Sequence, residues 1–187
     1  MTTDTVTAAV SEAVRALRAE RGWSLDALAD RADVSRGVLI GIEQRRTNPS
    51  LGTLVRIAEA LGVGVARLVE ADPQPPVRVT EPDGGTELWR DGGSAARLLT
   101  GSDRRHHLEL WTWTLAPGGE RRSEAHLAGT EELLHVQSGE LLLDVAGVQH
   151  RVPAGGGAVF AADRPHAYRN GGDEPVRFTM TVVQPDG

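Results

Sequence analysis

The side chains best suited to chemistry lie between Glu124 and Asn170. Glu124 and His126 stand two residues apart, Glu132 follows, and His166, Tyr168 and Asn170 recur at alternate positions further on. Alternate residues of a strand share a face, so Glu124 points with His126, His166 with Tyr168 and Asn170, and Glu132 with Leu134 and Val136, while His135 points away. Imidazoles and carboxylates on one face can hold a divalent metal or grip a small polar molecule. The chain has no cysteine, which excludes disulfides, thiolate metal sites and Cys nucleophiles and suits a reducing interior. Glu131 is out of phase with Glu132 and reads as solvated, as does His150 beyond the Gly147 turn. His106 and His107 precede a strand and read as surface or core-edge residues. Trp111 and Trp113 share a strand face and suit a core or an interface. Arg121 and Arg122 fall on a loop where they can draw in an anion, with solvation the default expectation.

The elements that must position these groups are strands. After "DPQPP", a stiff polar spacer, short apolar runs alternate with Gly, Pro and Asp: "TELW", "HLELWTWTL", "ELLHV", "ELLLDV", "GAVF" and "RFTMTVV". Short strands at regular intervals with turn signals between them predict an all-β sandwich or barrel.

Before the spacer the period is helical. Val10, Ala13, Val14 and Leu17 form the stripe of a first helix ending near Gly22. Ser24 caps a second, with Leu25, Leu28, Ala29 and Ala32 on one face. Ser35 caps a third, with Val38, Leu39 and Ile42 inward and Val34 and Leu39 placed as a hydrophobic staple. Asn48, Pro49 and Ser50 announce a fourth, carrying Leu51, Leu54, Val55, Ala58 and Leu61 to Gly62, and Val65, Leu68 and Val69 suggest a fifth. Two short helices joined by a tight turn are a helix-turn-helix pattern.

From Trp23 to Leu68 the chain, with "SLDALADRADVSRGVLIGIEQRRTNPSLGTLVRIAEALGV", resembles the five-helix DNA-binding domain of the XRE (phage-repressor-like) transcription factors. The resemblance implies that the third helix reads the major groove with Arg36, Gly37, Ile40 and Gln44, and that Ser35, Arg45, Arg46 and Asn48 clamp the DNA backbone. Arg36 suits a guanine edge and Ile40 a thymine methyl. Two features depart from the family pattern. Leu25 stands where a polar phosphate contact is usual, and Gly37 and Gly41 each weaken the third helix by ~1 kcal/mol relative to Ala.

The second part resembles the cupins, small β-barrels whose mouth holds a metal or a small molecule. Gly118, Glu124-x-His126, Glu132 and Gly139 follow the first cupin motif, with Glu124 at a usual His position. Gly147, Pro153, Gly155, His166 and Asn170 follow the second, with Gly156 where Asp is common. The resemblance implies a ligand pocket near Glu124, His126, Glu132, His166, Tyr168 and Asn170. It implies a metal set of His126, Glu132 and His166, with Glu124 as a fourth candidate, suited to Fe(II), Mn(II), Ni(II) or Zn(II).

The expected architecture is therefore two domains, an all-α five-helix bundle followed by an all-β cupin (double-stranded β-helix) barrel. The boundaries are a flexible start over 1–7, a DNA-binding domain over 8–70, a linker over 71–76 and a sensor domain over 77–187. A formal net charge of -6 argues against indiscriminate polyanion binding, so contacts with DNA must be local. All 20 basic residues are Arg, whose planar fork suits phosphate and guanine. With no signal-peptide pattern and no run near ~18 apolar residues, the expected location is the cytoplasm. These features describe a homodimeric transcriptional regulator, a repressor, that binds a palindromic double-stranded operator and answers to a small-molecule effector. The same arrangement also resembles hydroxypropylphosphonate epoxidase, a non-haem iron enzyme. On that alternative, His126, Glu132 and His166 form a two-His, one-carboxylate triad.

Overall fold

A computed structural model describes residues 3–69, 77–82, 84–102 and 106–185. The expected linker at 71–76 lies outside them. The first part is helical: α1 (Thr3–Glu20), α2 (Leu25–Ala32), α3 (Arg36–Glu43), α4 (Leu51–Leu61) and α5 (Val65–Val69). Serine starts three of these helices as expected. The hydroxyls of Ser24, Ser35 and Ser50 accept from the backbone N–H of Ala27, Val38 and Thr53 at 3.1, 3.2 and 3.2 Å, satisfying donors that the first turn leaves open. Gly62 ends α4 at a φ of 61°, a left-handed conformation that costs glycine little.

Two helical expectations change. The stretch 1–7 is not wholly outside regular structure, because α1 is helical from Thr3; Val6, one turn before Val10, extends its stripe and packs on the core. Val38 faces outward at 38% exposure, whereas Leu39, Gly41 and Ile42 are buried. Gly41 faces the loop after α3, where an added Cβ would lie 2.7 Å from Thr47 Oγ1. That close approach adds a reason for a glycine here beside the propensity cost it carries.

The second part holds two antiparallel sheets. Their strands are β1 (Thr86–Asp91), β2 (Ser94–Ser102), β3 (His107–Leu115), β4 (Glu120–Ser123), β5 (Glu131–Ser138), β6 (Glu140–Val145), β7 (Val148–Pro153), β8 (Gly157–Ala161), β9 (His166–Asn170) and β10 (Val176–Gln184). One sheet has the order β1-β2-β3-β10-β5-β8 and the other β4-β9-β6-β7. Aromatic residues make up only 4% of the chain, yet they collect between the sheets. Trp113 of β3 stacks on Phe178 of β10 with ring centroids 5.8 Å apart, and Tyr168 of β9 lies 5.6 Å from both. These contacts join the two layers into one core.

The helical bundle rests directly on the barrel. Glu109 of β3 accepts from the α5 backbone at Ala66 N (3.2 Å) and, through its other oxygen, from Trp111 Nε1 (3.0 Å). Gly101 of β2 lies flush against Ala66, leaving no room for a Cβ. The described residues include no helix long and apolar enough to cross a membrane.

Candidate functional site

The barrel mouth is a cavity of about 260 Å³ whose floor belongs to the barrel and whose roof is α4. His126 and Glu132 line it, His166 is buried behind them, and single ligand atoms of the three all lie within 4.8 Å of one another. Glu132 is placed by the alternation of β5, which buries Glu132, Leu134 and Val136 and exposes Glu131 and His135, as expected from its phase. Tyr168, on the opposite sheet, donates its hydroxyl hydrogen to Glu132 Oε2. His126 does not lie on a strand. β4 stops at Ser123, and the chain at His126 is held by its N–H donating to Ala162 O at 3.0 Å.

The protonation states follow from the neighbours. His126 has a carboxylate at each ring nitrogen, Glu132 Oε1 at 3.3 Å from Nε2 and Glu59 Oε1 at 3.4 Å from Nδ1. Burial alone would lower its pKa, but the bonds and charges of Glu132 and Glu59 outweigh burial and raise it to about 9. Burial would likewise raise the pKa of Glu132, but the His126 bond and the nearby His166 imidazole bring it down to about 2. Tyr168 is pushed well above its ordinary range, first by burial and then by the Glu132 charge. The result is a buried imidazolium–carboxylate pair with a neutral phenol donating to it.

His166 stands differently. Its Nδ1 lies 2.9 Å from the carbonyl of Arg164, an acceptor, so Nδ1 carries a hydrogen and donates it there. Nε2 then faces Glu132 Oε1 at 3.6 Å, buried and without a hydrogen-bond partner. Ligand atoms around a divalent ion at ~2.1 Å stand about 3.0–3.4 Å apart; the two separations from Glu132 Oε1, 3.3 and 3.6 Å, are close to that, and the three atoms together lie within 4.8 Å. The orphaned Nε2 and the spacing fit a metal held by His126, Glu132 and His166.

Two other expected site residues are placed elsewhere. Glu124 is exposed on the rim of the cavity and stands outside the three-residue group, because the irregular chain after Ser123 breaks the alternation that would align it with His126. Asn170 is buried and fully employed in a turn: its amide donates to Leu115 O (3.0 Å) and Glu174 O (2.8 Å), and its oxygen accepts from Gly172 N (2.9 Å). It ties β9 to β3 and does not line the cavity. Conversely, the sequence reading did not anticipate Arg56 and Glu59 of α4, which line the cavity from the helical domain. Their spacing of three places them on one helix face, but nothing local indicates which surface that face meets. Arg121, expected on a solvated loop, is a half-buried residue of β4 that lines the same cavity, with its guanidinium 5.7 Å from the Trp89 ring.

The other candidate surface is the outer face of α3. Arg36, Gly37, Val38 and Gln44 are exposed and Ile40 is half-buried. Arg36 is paired with Asp26 of α2 at 3.1 Å, both side chains being largely in solvent. Arg45, in left-handed backbone (φ 58°), pairs with Glu12 of α1. Arg46 and Asn48 are exposed just beyond. The helix is fixed from behind by a two-pronged ion pair, Arg18 Nε and Nη2 to Glu43 Oε1 and Oε2 at 2.7 and 2.9 Å, and by Ser11 Oγ donating to Glu43 O at 2.9 Å.

A helix-turn-helix family model matches residues 14–68, and a cupin domain model matches residues 111–183. The HTH-type transcriptional regulator SutR of Escherichia coli (strain K12) is 31% identical over 179 residues, spanning 94% of this chain and 95% of that protein. The chain belongs to the HTH-type transcriptional regulators that carry a cupin domain. An HTH_3 family transcriptional regulator from Vibrio cholerae superimposes on the regulator with a TM-score of 0.78 at 27% identity, covering 98% of this chain and 99% of that one. Both likenesses run through the helical bundle and the barrel, so the regulator is a DNA-binding protein with the two-domain architecture expected from its motifs. The hydroxypropylphosphonic acid epoxidase of S. wedmorenis overlays at a TM-score of 0.45 and 18% identity, too loosely to support an enzymatic reading.

Proposed function

We propose that this regulator is a homodimeric repressor that reads a palindromic operator with α3 and is controlled by a small molecule in the barrel. The observation that carries the reading is the placement of α4. The helix that packs behind the DNA-reading pair also roofs the cavity, and its Glu59 lies 3.4 Å from His126 Nδ1. A molecule entering the cavity must meet α4, and it shifts DNA affinity to the extent that it binds the DNA-competent and DNA-incompetent arrangements unequally.

Arg36, Gly37, Val38, Ile40 and Gln44 then face base edges, Arg36 toward guanine and Val38 or Ile40 toward a thymine methyl. Arg46 and Asn48 serve as backbone contacts, with Arg45 joining them on release from Glu12. Ser35 combines its capping role with a place at the DNA backbone. His126, Glu132 and His166 are the residues to hold a divalent metal, which when bound supplies an open coordination position to an effector. Without it, the same groups and Tyr168 form a polar floor. In either state the chemistry is binding and not turnover.

The outer face of the larger sheet supplies the dimer contact. Leu110 and Leu133 flank Thr181 in register, and Leu133 pairs with Val159. With Leu108 they form a row of apolar side chains at 38–64% exposure. Two-fold pairing through this row would bring two α3 helices into one assembly, as reading half-sites about 34 Å apart requires.

The division of labour on DNA is tested with two variants. Arg36→Ala should relax base preference at one position of each half-site, at a cost of about 1–3 kcal/mol in discrimination. Arg46→Ala should weaken binding to all sequences and reduce the salt slope by about one. Equal effects of the two substitutions on specificity and salt dependence would overturn the assignment.

A further inference from the structure

The cavity has more donors than acceptors left to satisfy. Arg121 Nε of β4, Arg56 Nε of α4 and Trp113 Nε1 of β3 are all buried with no hydrogen-bond partner, and all three residues line the cavity. Neither arginine makes an ion pair among the described residues. Of the cavity's carboxylates, Glu109 takes Ala66 N and Trp111 Nε1 and Glu132 takes Tyr168 and His126, while Glu59 Oε1 is buried without a hydrogen bond at 3.4 Å from His126 Nδ1 and Glu124 is exposed on the rim. A half-buried guanidinium whose Nε is shut off from water and has no counter-charge is costly, and burial holds the pKa of Arg121 below its ordinary value. The missing partner is an anion.

We propose that the effector is a small organic carboxylate, its charge gripped between Arg121 of the barrel and Arg56 of the helical domain and its apolar body lodged against the wall of the cavity. Carboxylate geometry matches the guanidinium fork. The wall beside the arginines offers Trp111, Met180 and Val182 from the barrel and Leu51 and Val55 from α4, which selects an apolar body over a free inorganic anion. A cavity of about 260 Å³ lies below the ~300–1,000 Å³ of drug-sized sites and limits that body to a few carbons or one ring. One arginine belongs to each domain, so the carboxylate is itself the link between barrel and DNA-binding bundle. This inference rests on the reading of the barrel as the effector site.

The test is calorimetric titration of the full-length protein, stripped of metal with EDTA, with acetate, butyrate, hexanoate, benzoate and phenylacetate and with the corresponding neutral amides. At least one carboxylate should bind ~10-fold or more tightly than its amide, and Arg121→Gln and Arg56→Gln should each weaken it by ~10-fold or more. The comparison of acid with amide needs no variant, so it stands even if a substitution impairs folding. The proposal is overturned if no carboxylate outbinds its amide, if the preference survives both substitutions, or if it appears only when metal is restored, which would assign the anion to the metal. DNA binding by the same preparation separates the two readings. Operator binding without carboxylate preference overturns this inference alone, and carboxylate preference without DNA binding overturns the regulatory reading alone.

Discussion

His126 sits where the two domains meet, with a carboxylate from each side at its ring nitrogens. Its pKa, raised to about 9 in the folded protein, lies above the ~6.5 of an unfolded chain. The stabilisation it gives is therefore complete below about pH 6.5 and is lost as the pH rises through about 9. In metal-free protein, the urea midpoint should fall across that interval, and the fall should disappear in His126→Gln. A midpoint that is flat from pH 6.5 to 9.5 in the parent protein would contradict the ion-pair geometry. Glu132, lowered to about 2, acts in the opposite sense: its contribution is present above its ordinary carboxylate range and is lost as the pH falls through about 2. A metal ligated at His126 Nε2 must displace the proton held there. Zn(II) titrations at pH 7.5 in buffers of different ionisation enthalpy should accordingly report release of about one proton.

At the scale of the element, α3 poses a test in which two principles predict opposite signs. Helix propensity alone makes Gly41→Ala stabilising by ~1 kcal/mol, but a Cβ there would stand 2.7 Å from Thr47 Oγ1. Crowding should win, so urea unfolding should show a loss of about 1–3 kcal/mol; a gain would mean that the loop yields freely. Much of this element was legible in the sequence. Caps are short-range hydrogen bonds between neighbours, so Ser24, Ser35 and Ser50 marked their helices correctly. Val38 was misplaced because an eight-residue helix carries too few apolar positions to define its inward direction. In the barrel, the apolar strands could be read from their alternation. β2 and β4, with sequences SAARLLTGS and ERRS, could not, because small or charged residues there are positioned by neighbouring strands. Glu132, His126 and His166 were found by spacing and motif. Asn170 shared that spacing but satisfies backbone groups of its own turn and of β3. Arg56 and Glu59 depend on how one domain lies on another, which no local pattern encodes.

For the whole molecule, the row of Leu108, Leu110, Leu133 and Val159 and the roof formed by α4 carry the proposed dimerisation and control. Placing a charge in the middle of that row, as Leu133→Glu, should leave the fold intact and convert the proposed dimer to a monomer in sedimentation equilibrium. Operator affinity should fall steeply with it, since one recognition helix then acts alone. An unchanged sedimentation mass would move the dimer contact to another surface. The central claim, that this two-domain molecule reads a specific operator, is tested most directly by selecting bound fragments from source-genome DNA at physiological salt with the full-length protein. The account predicts recovery of a short palindrome with half-site centres one helical turn, ~10 bp, or a multiple of that apart. It should be bound at least ~10³-fold more tightly than unrelated duplex. Fragments recovered in proportion to their abundance, with no shared site, would contradict it.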